Sequence, residues 1–302
     1  MKFEGRSIDK VVIKACDYQG LVGELLLPRG VASVPAIMVL GGSDGGIGYA
    51  RSVANELAEQ GYAALAVAYF KERGLPRKLV RIPLEYFATA LDWLRKQPRV
   101  DPARIGIFGA SKGAEAALLV ASRHSEFVAV VVAAPSDVVW EGIDFRAKAA
   151  VGSSWSEGGK PVTFIPYDRT GVAPMRSLLN MYRRSRYAAG VDPAALIPVE
   201  RIKGPVLFLS GQADGLWPSK DMADCAMVRL EKAEFAYTKR HVSYPEAGHA
   251  IFPLFRRRDR LMASLFGKFF GGGSASDHSA RKDAWQQTLG FFERSFGGSR
   301  AQ

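Results

Sequence analysis

Cysteine is almost missing from this chain. Cys16 and Cys225 are the two present, far apart and without metal-ligand spacing. That excludes a disulfide scaffold and fits a reducing compartment. No apolar run reaches the roughly 18 residues a spanning helix requires. The N-terminal stretch Met1-Lys2-Phe3-Glu4-Gly5-Arg6-Ser7 lacks the apolar centre of a secretory signal. A cytoplasmic, soluble protein is expected, with neither metal nor cofactor. Histidine is scarce too, with four in 302 residues, so few side chains qualify as a general base near neutral pH. Negative charge is in deficit: Lys+Arg 41 against Asp+Glu 30 leaves +11. Basic tracts stand at Arg183-Arg184-Ser185-Arg186, Lys239-Arg240 and Arg256-Arg257-Arg258-Asp259-Arg260. Such a surface attracts nucleic acid, acidic lipid or a phosphorylated small molecule, and a merely solvated surface explains it as well. Interleaved aromatic and basic residues, and any known nucleic-acid module, are missing. No nucleic-acid partner is expected, and a non-catalytic nucleic-acid-binding protein is the remote alternative.

Length permits one large α/β domain with a sizeable core. Ile8–Ala15 and Leu21–Leu27 read as a hairpin, and Val34–Leu40 as a strand buried on both faces. Helix Ala50–Gln60, strand Tyr62–Tyr69, helix Pro83–Gln97, a strand from Arg104 and strand Phe127–Ala134 follow in alternation. This order predicts a doubly wound, mostly parallel sheet of about eight strands behind an antiparallel hairpin. Segment 136–202 breaks the rhythm, with one helix at Met175–Tyr187, and reads as a lid or insert. Strand Gly204–Gly211, helix Asp221–Lys232, strand His241–Tyr244 and helix Asp283–Ser295 complete a single domain over 1–302. Gly271–Ser276 reads as a flexible link before the last helix.

The chain is organised around Gly109-Ala110-Ser111-Lys112-Gly113. This is G-x-S-x-G between an apolar β-branched run and a helix-forming stretch, the context of a nucleophile elbow. A serine nucleophile needs a base, and the base needs an orienting acid. His124 lies about three turns down the following helix, His278 falls in the glycine-serine link, and His241 opens a strand. His249 follows Tyr244-Pro245-Glu246-Ala247-Gly248 just beyond a strand, where the base belongs. Asp214, in Gly211-Gln212-Ala213-Asp214-Gly215, sits on the loop after the preceding strand and is the candidate acid; a turn aspartate is the other reading. Ser111…Asp214…His249 is the chain order of an α/β-hydrolase. For the oxyanion hole, the N–H of Lys112 is one donor. Ser43, with Gly42 next, supplies the other from Gly41-Gly42-Ser43-Asp44-Gly45-Gly46. Gly42-x-x-x-Gly46-x-Gly48 also has the spacing of a short-chain dehydrogenase loop. A hairpin precedes it, however, and no tyrosine has a lysine four residues later.

Leu40–Gly46, Leu65–Phe70, Ile82–Phe87, Ile105–Gly113 and Tyr244–His249 together resemble the C-terminal catalytic domain of acyl-CoA thioesterases and bile acid-CoA:amino acid N-acyltransferases. Dienelactone-hydrolase-like proteins are near neighbours. The resemblance runs from about residue 34 to about 255. It implies an α/β-hydrolase fold, a Ser111–Asp214–His249 triad and a small-molecule acyl thioester or ester substrate, with CoA as one leaving group. Lys112 and the arginine tracts would attract the CoA phosphates, and segment 136–202 would cover the acyl chain. Family members acting on long acyl-CoA carry a β-sandwich domain first, whereas about 30 residues precede the hydrolase part here. The family's transferases use cysteine where this chain has Ser111, which points to hydrolysis over transfer to an amine. The alternatives are an acyltransferase and a dienelactone-hydrolase-like esterase. A homo-oligomer is left open.

Overall fold

The computed structural model describes residues 11–16, 18–144, 147, 149–170, 178–187, 190–265 and 267–297. β1 (Val11–Ala15) and β2 (Val22–Pro28) form the expected hairpin, the start of which lies outside the described residues. β3 (Val34–Leu40), α1 (Gly48–Glu59) and β4 (Ala63–Ala68) follow. Next come a two-residue strand β5 (Ile82–Pro83), α2 (Leu84–Arg95), β6 (Val100–Ala110), α3 (Lys112–Ala121) and β7 (Phe127–Ala133). Within the insert are β8 (Trp155–Glu157), β9 (Lys160–Pro161) and α4 (Leu178–Tyr187). The chain continues through β10 (Val206–Gly211), α5 (Ser219–Lys232), β11 (Lys239–Tyr244), α6 (Arg257–Leu265), α7 (Gly267–Phe270) and α8 (Ser274–Ser295).

Eight strands form the main sheet in the order β1-β2-β4-β3-β6-β7-β10-β11. β2 runs antiparallel to both neighbours, and the pairs from β4 to β11 are parallel. Strands covered on both faces need no polar alternation, which is why β4 reads Ala-Ala-Leu-Ala-Val-Ala and is buried throughout. One core layer joins the sheet to α2, α3 and α5; the other joins it to α1 and α8. After β3 the chain winds outward to β4, then returns to place β6 on β3's other side. The crevice at the carboxyl ends of β3 and β6 is therefore a topological switch point, where open α/β sheets bind ligands.

Two expectations need correction. Gly271–Gly273 is no loose link. It packs under the loops after β10 and β11, and the last helix starts at Ser274, so His278 lies exposed on α8. Tertiary packing outweighs the flexibility its composition implies. The insert is also more regular than its sequence suggests: β5, β8 and β9 make a second small sheet. Val138, Trp140, Ile165, Met181 and Tyr182 share a third apolar cluster with Trp217. Of the helix expected at Met175–Tyr187, the part from Leu178 is seen; 175–177 lie outside the described residues.

Candidate active site

Ser111 occupies the sharp turn between β6 and α3 with φ 55° and ψ −122°, a conformation few non-glycine residues adopt. Its N–H donates to the carbonyl of Ala133 (2.9 Å), which fixes the elbow to β7. The turn is tight: a Cβ on Gly113 would run into the carbonyl of Gly41. The helix after the elbow thus lies directly on the loop after β3, and glycine is the residue that permits it.

Asp214 sits in the loop after β10 and His249 in the loop after β11, and the fold brings both to Ser111. Ser111 Oγ and His249 Nε2 lie 2.9 Å apart, and His249 Nδ1 and Asp214 Oδ2 also 2.9 Å. All three are buried. Asp214 is held from the other side: Oδ1 accepts from the N–H groups of Leu216 (2.9 Å) and Trp217 (3.2 Å), and Oδ2 from the Ser219 hydroxyl (2.6 Å). The imidazole is boxed by Trp217, Phe252 and Phe270 at centroid distances of 5.7, 5.8 and 5.7 Å. The Phe270 carbonyl accepts from His249 N–H (2.7 Å) and from Gly215 N–H (2.9 Å), so one acceptor tethers both loops. Ser219 carries no local sequence signal; its value comes from the turn that opens α5.

Ser111, Lys112 and Ser43 line a cavity of about 190 Å³, roofed by insert residues that include Leu178, Met181 and Tyr182. As the first residue of α3, Lys112 has an N–H for which the helix provides no acceptor. Ser43 lies on the loop after β3, and Gly42 backs onto Ser111. That loop is tied down by Tyr69 Oη donating to the Gly41 carbonyl (2.6 Å) and by Ile47 N–H donating to Glu72 Oε2 (3.1 Å).

The Lys112 side chain departs from expectation. It is buried and donates to Glu115 Oε2 (2.7 Å), with Trp155 beneath it at 5.7 Å, and is not placed to meet a phosphate in solvent. Glu115 Oε1 accepts from Trp155 Nε1 (2.7 Å) and Trp140 N–H (3.1 Å), which joins the elbow helix to the insert. Burial pushes the Lys112 pKa down and the Glu115 pKa up, and their mutual attraction opposes both shifts. Two opposite charges three apart in an otherwise small, apolar helix are the signal that marks this pair. Arg186 of the first basic tract is likewise buried, against Asp137 (2.8 Å).

A second Ser–His–Asp chain exists. Ser210 Oγ lies 2.7 Å from His241 Nε2, and His241 Nδ1 lies 2.9 Å from Asp224 Oδ1. Ser210, however, sits fully buried inside β10, away from the cavity and without an elbow. It staples β10, β11 and α5 together. Distances alone do not make a site; the turn and the cavity at Ser111 separate the two.

Sheet, crossovers and elbow define an α/β-hydrolase fold. Solved structures agree at the level of fold. A dienelactone hydrolase-like promiscuous phosphotriesterase from metagenomic libraries superposes with a TM-score of 0.60 at 16% identity, over 95% of this chain and 100% of that one. The Pyrococcus horikoshii acylaminoacyl peptidase superposes at 0.57 and 16%, over 97% and 42%. Residues 82–298 match the family described as BAAT / Acyl-CoA thioester hydrolase C terminal, and the chain belongs to that family. Human acyl-coenzyme A thioesterase 1 is 34% identical over 281 residues, 91% of this chain and 63% of that protein. Mouse acyl-coenzyme A amino acid N-acyltransferase 1 is 30% identical over 289 residues, 90% and 62% respectively. The chain thus spans less than two thirds of the length of these relatives.

Proposed function

We propose that this protein is a serine hydrolase cleaving acyl thioesters, acyl-CoA foremost, or related carboxylic esters, through Ser111, His249 and Asp214 and an acyl-enzyme. The observation that carries this reading is the buried Ser111–His249–Asp214 hydrogen-bond chain, with a strained serine opening on a cavity. His249 Nε2 takes the hydroxyl proton as Ser111 Oγ attacks the acyl carbonyl. The N–H groups of Lys112 and Ser43, with Gly42 adjacent, hold the developing oxyanion, an interaction worth several kcal/mol at the transition state. The leaving thiol or alcohol departs with the proton from His249. Water, activated by the same imidazole, then clears the acyl group. Asp214, anchored by Ser219 and two backbone N–H groups, keeps the proton on Nδ1 and steadies the imidazolium. The insert covers the acyl chain with Leu178, Met181 and Tyr182. The two free cysteines support a reducing compartment such as the cytoplasm.

The test is fluorophosphonate labelling together with a hydrolysis panel of acyl-CoAs and p-nitrophenyl esters. Ser111→Ala should abolish labelling and lower kcat by roughly 10⁴- to 10⁶-fold, and Asp214→Asn by about 10⁴-fold. A folded wild type that neither labels nor hydrolyses any substrate would overturn the reading. Acyl transfer to an amine is the second reading, supported by the N-acyltransferase relative. Product analysis with and without glycine or taurine separates it, and Ser111 in place of a transferase's cysteine favours water.

A further inference from the structure

The segment that leaves His249 and returns to it carries a feature the chemistry does not use. In α6, Arg258, Leu261, Met262 and Leu265 fall at i, i+3, i+4 and i+7 and so form one stripe along the helix. On a helix packed against a core, such a stripe turns inward. Here it turns to water: Leu261 is 59% exposed, Met262 41% and Leu265 66%, with Phe269 of α7 at 37%. No described residue of α6 is buried, and the half-buried side belongs to Asp259 and Ala263. These four side chains are four of the nine exposed large hydrophobics among the described residues, gathered within nine positions.

Cations frame the stripe. Arg257 and Arg258 are exposed and make no hydrogen bond or salt bridge among the described residues. Arg260 donates to the carbonyls of Leu254 (3.1 Å) and Phe255 (2.6 Å) and keeps its charge at the surface. The inverted amphipathic helix and the +11 balance describe a surface complementary to one that is greasy within and anionic outside.

We propose that the α6–α7 face docks on an anionic phospholipid bilayer. Leu261, Met262, Leu265 and Phe269 enter the boundary between headgroups and acyl chains, while Arg257 and Arg258 meet the lipid phosphates. This is peripheral attachment, since no helix among the described residues is long and apolar enough to cross a membrane. The proposal does not depend on the reaction at Ser111. It does place that site beside the bilayer, because Phe252 before α6 and Phe270 after it both pack on His249.

Sedimentation of the full chain with vesicles tests it, comparing phosphatidylcholine alone with phosphatidylcholine mixed with phosphatidylglycerol. The wild type should bind the mixed vesicles, and more weakly as salt is raised. L261S/L265S and R257E/R258E should each weaken binding by on the order of tenfold or more, with circular dichroism and melting unchanged. Arg240→Glu, in a separate exposed basic tract, should leave it unaltered. The proposal fails if the wild type ignores mixed vesicles, or if L261S/L265S binds as well as wild type. It fails too if Arg240→Glu costs as much as R257E/R258E, which would make the attraction a matter of net charge. A wild-type dimer that L261S/L265S converts to monomer, with no capture by vesicles, would make the face a protein contact and end the proposal.

Discussion

Glu115 is a fully buried carboxylate that accepts from an ammonium, an indole and a backbone N–H. Removing one member of such a pair strands the other's charge in a low-dielectric interior. Glu115→Ala should therefore lower unfolding free energy by about 3–5 kcal/mol in denaturant titration, while Glu115→Gln, which keeps an acceptor for Trp155, should lose less. Ser111, His249 and Asp214, which lie in one chain of hydrogen-bonding distances, each stand just beyond a strand among local turn or glycine chemistry, which is why the sequence could single them out. Glu115 and Ser219 were not singled out. The spacing of Glu115 from Lys112 is visible in the sequence, but Trp140 and Trp155 reach Glu115, and Asp214 reaches Ser219, only through the fold.

Among the elements, β11 is tied to its neighbours through one titrating group. His241 bridges Ser210 and Asp224, and burial lowers its pKa below the ordinary 6.5 even though Asp224 pulls the other way; nearby Lys220 adds to the lowering. Because the folded pKa lies below the unfolded one, the unfolded chain binds the extra proton between the two values. Stability is then complete above 6.5 and declines as pH falls toward the folded pKa, with a slope of at most about 1.4 kcal/mol per pH unit from this group. Replacing His241 with Gln should flatten that part of the stability–pH curve, as read from melting at successive pH values. The strands and helices around this staple followed from their apolar periodicity. The insert did not, because its order rests on long-range contacts such as Glu141 accepting from Arg169 at 2.6 and 2.9 Å. The short α6 escaped for another reason: its apolar stripe has no core to face.

For the whole molecule, alternation of strands and helices was enough to read a mostly parallel sheet behind a hairpin, while the strand order came from the structure. The way the C-terminal part folds back beneath the site could not be read either, since Gly271-Gly272-Gly273 reads as slack until its neighbours are known. That fold-back has a consequence for how the molecule opens. The carbonyl of Phe270 receives the amides of both His249 and Gly215, so a displacement of Phe270 releases both at once. In native-state hydrogen exchange the two amides should report one shared opening event with a common protection factor, although they lie 34 positions apart in the chain. Gly271→Ala, whose Cβ would strike the Ala213 carbonyl, should speed both by the same factor and leave the amides of β3 unchanged. Unequal factors would mean that the loops carrying His249 and Gly215 come apart one at a time.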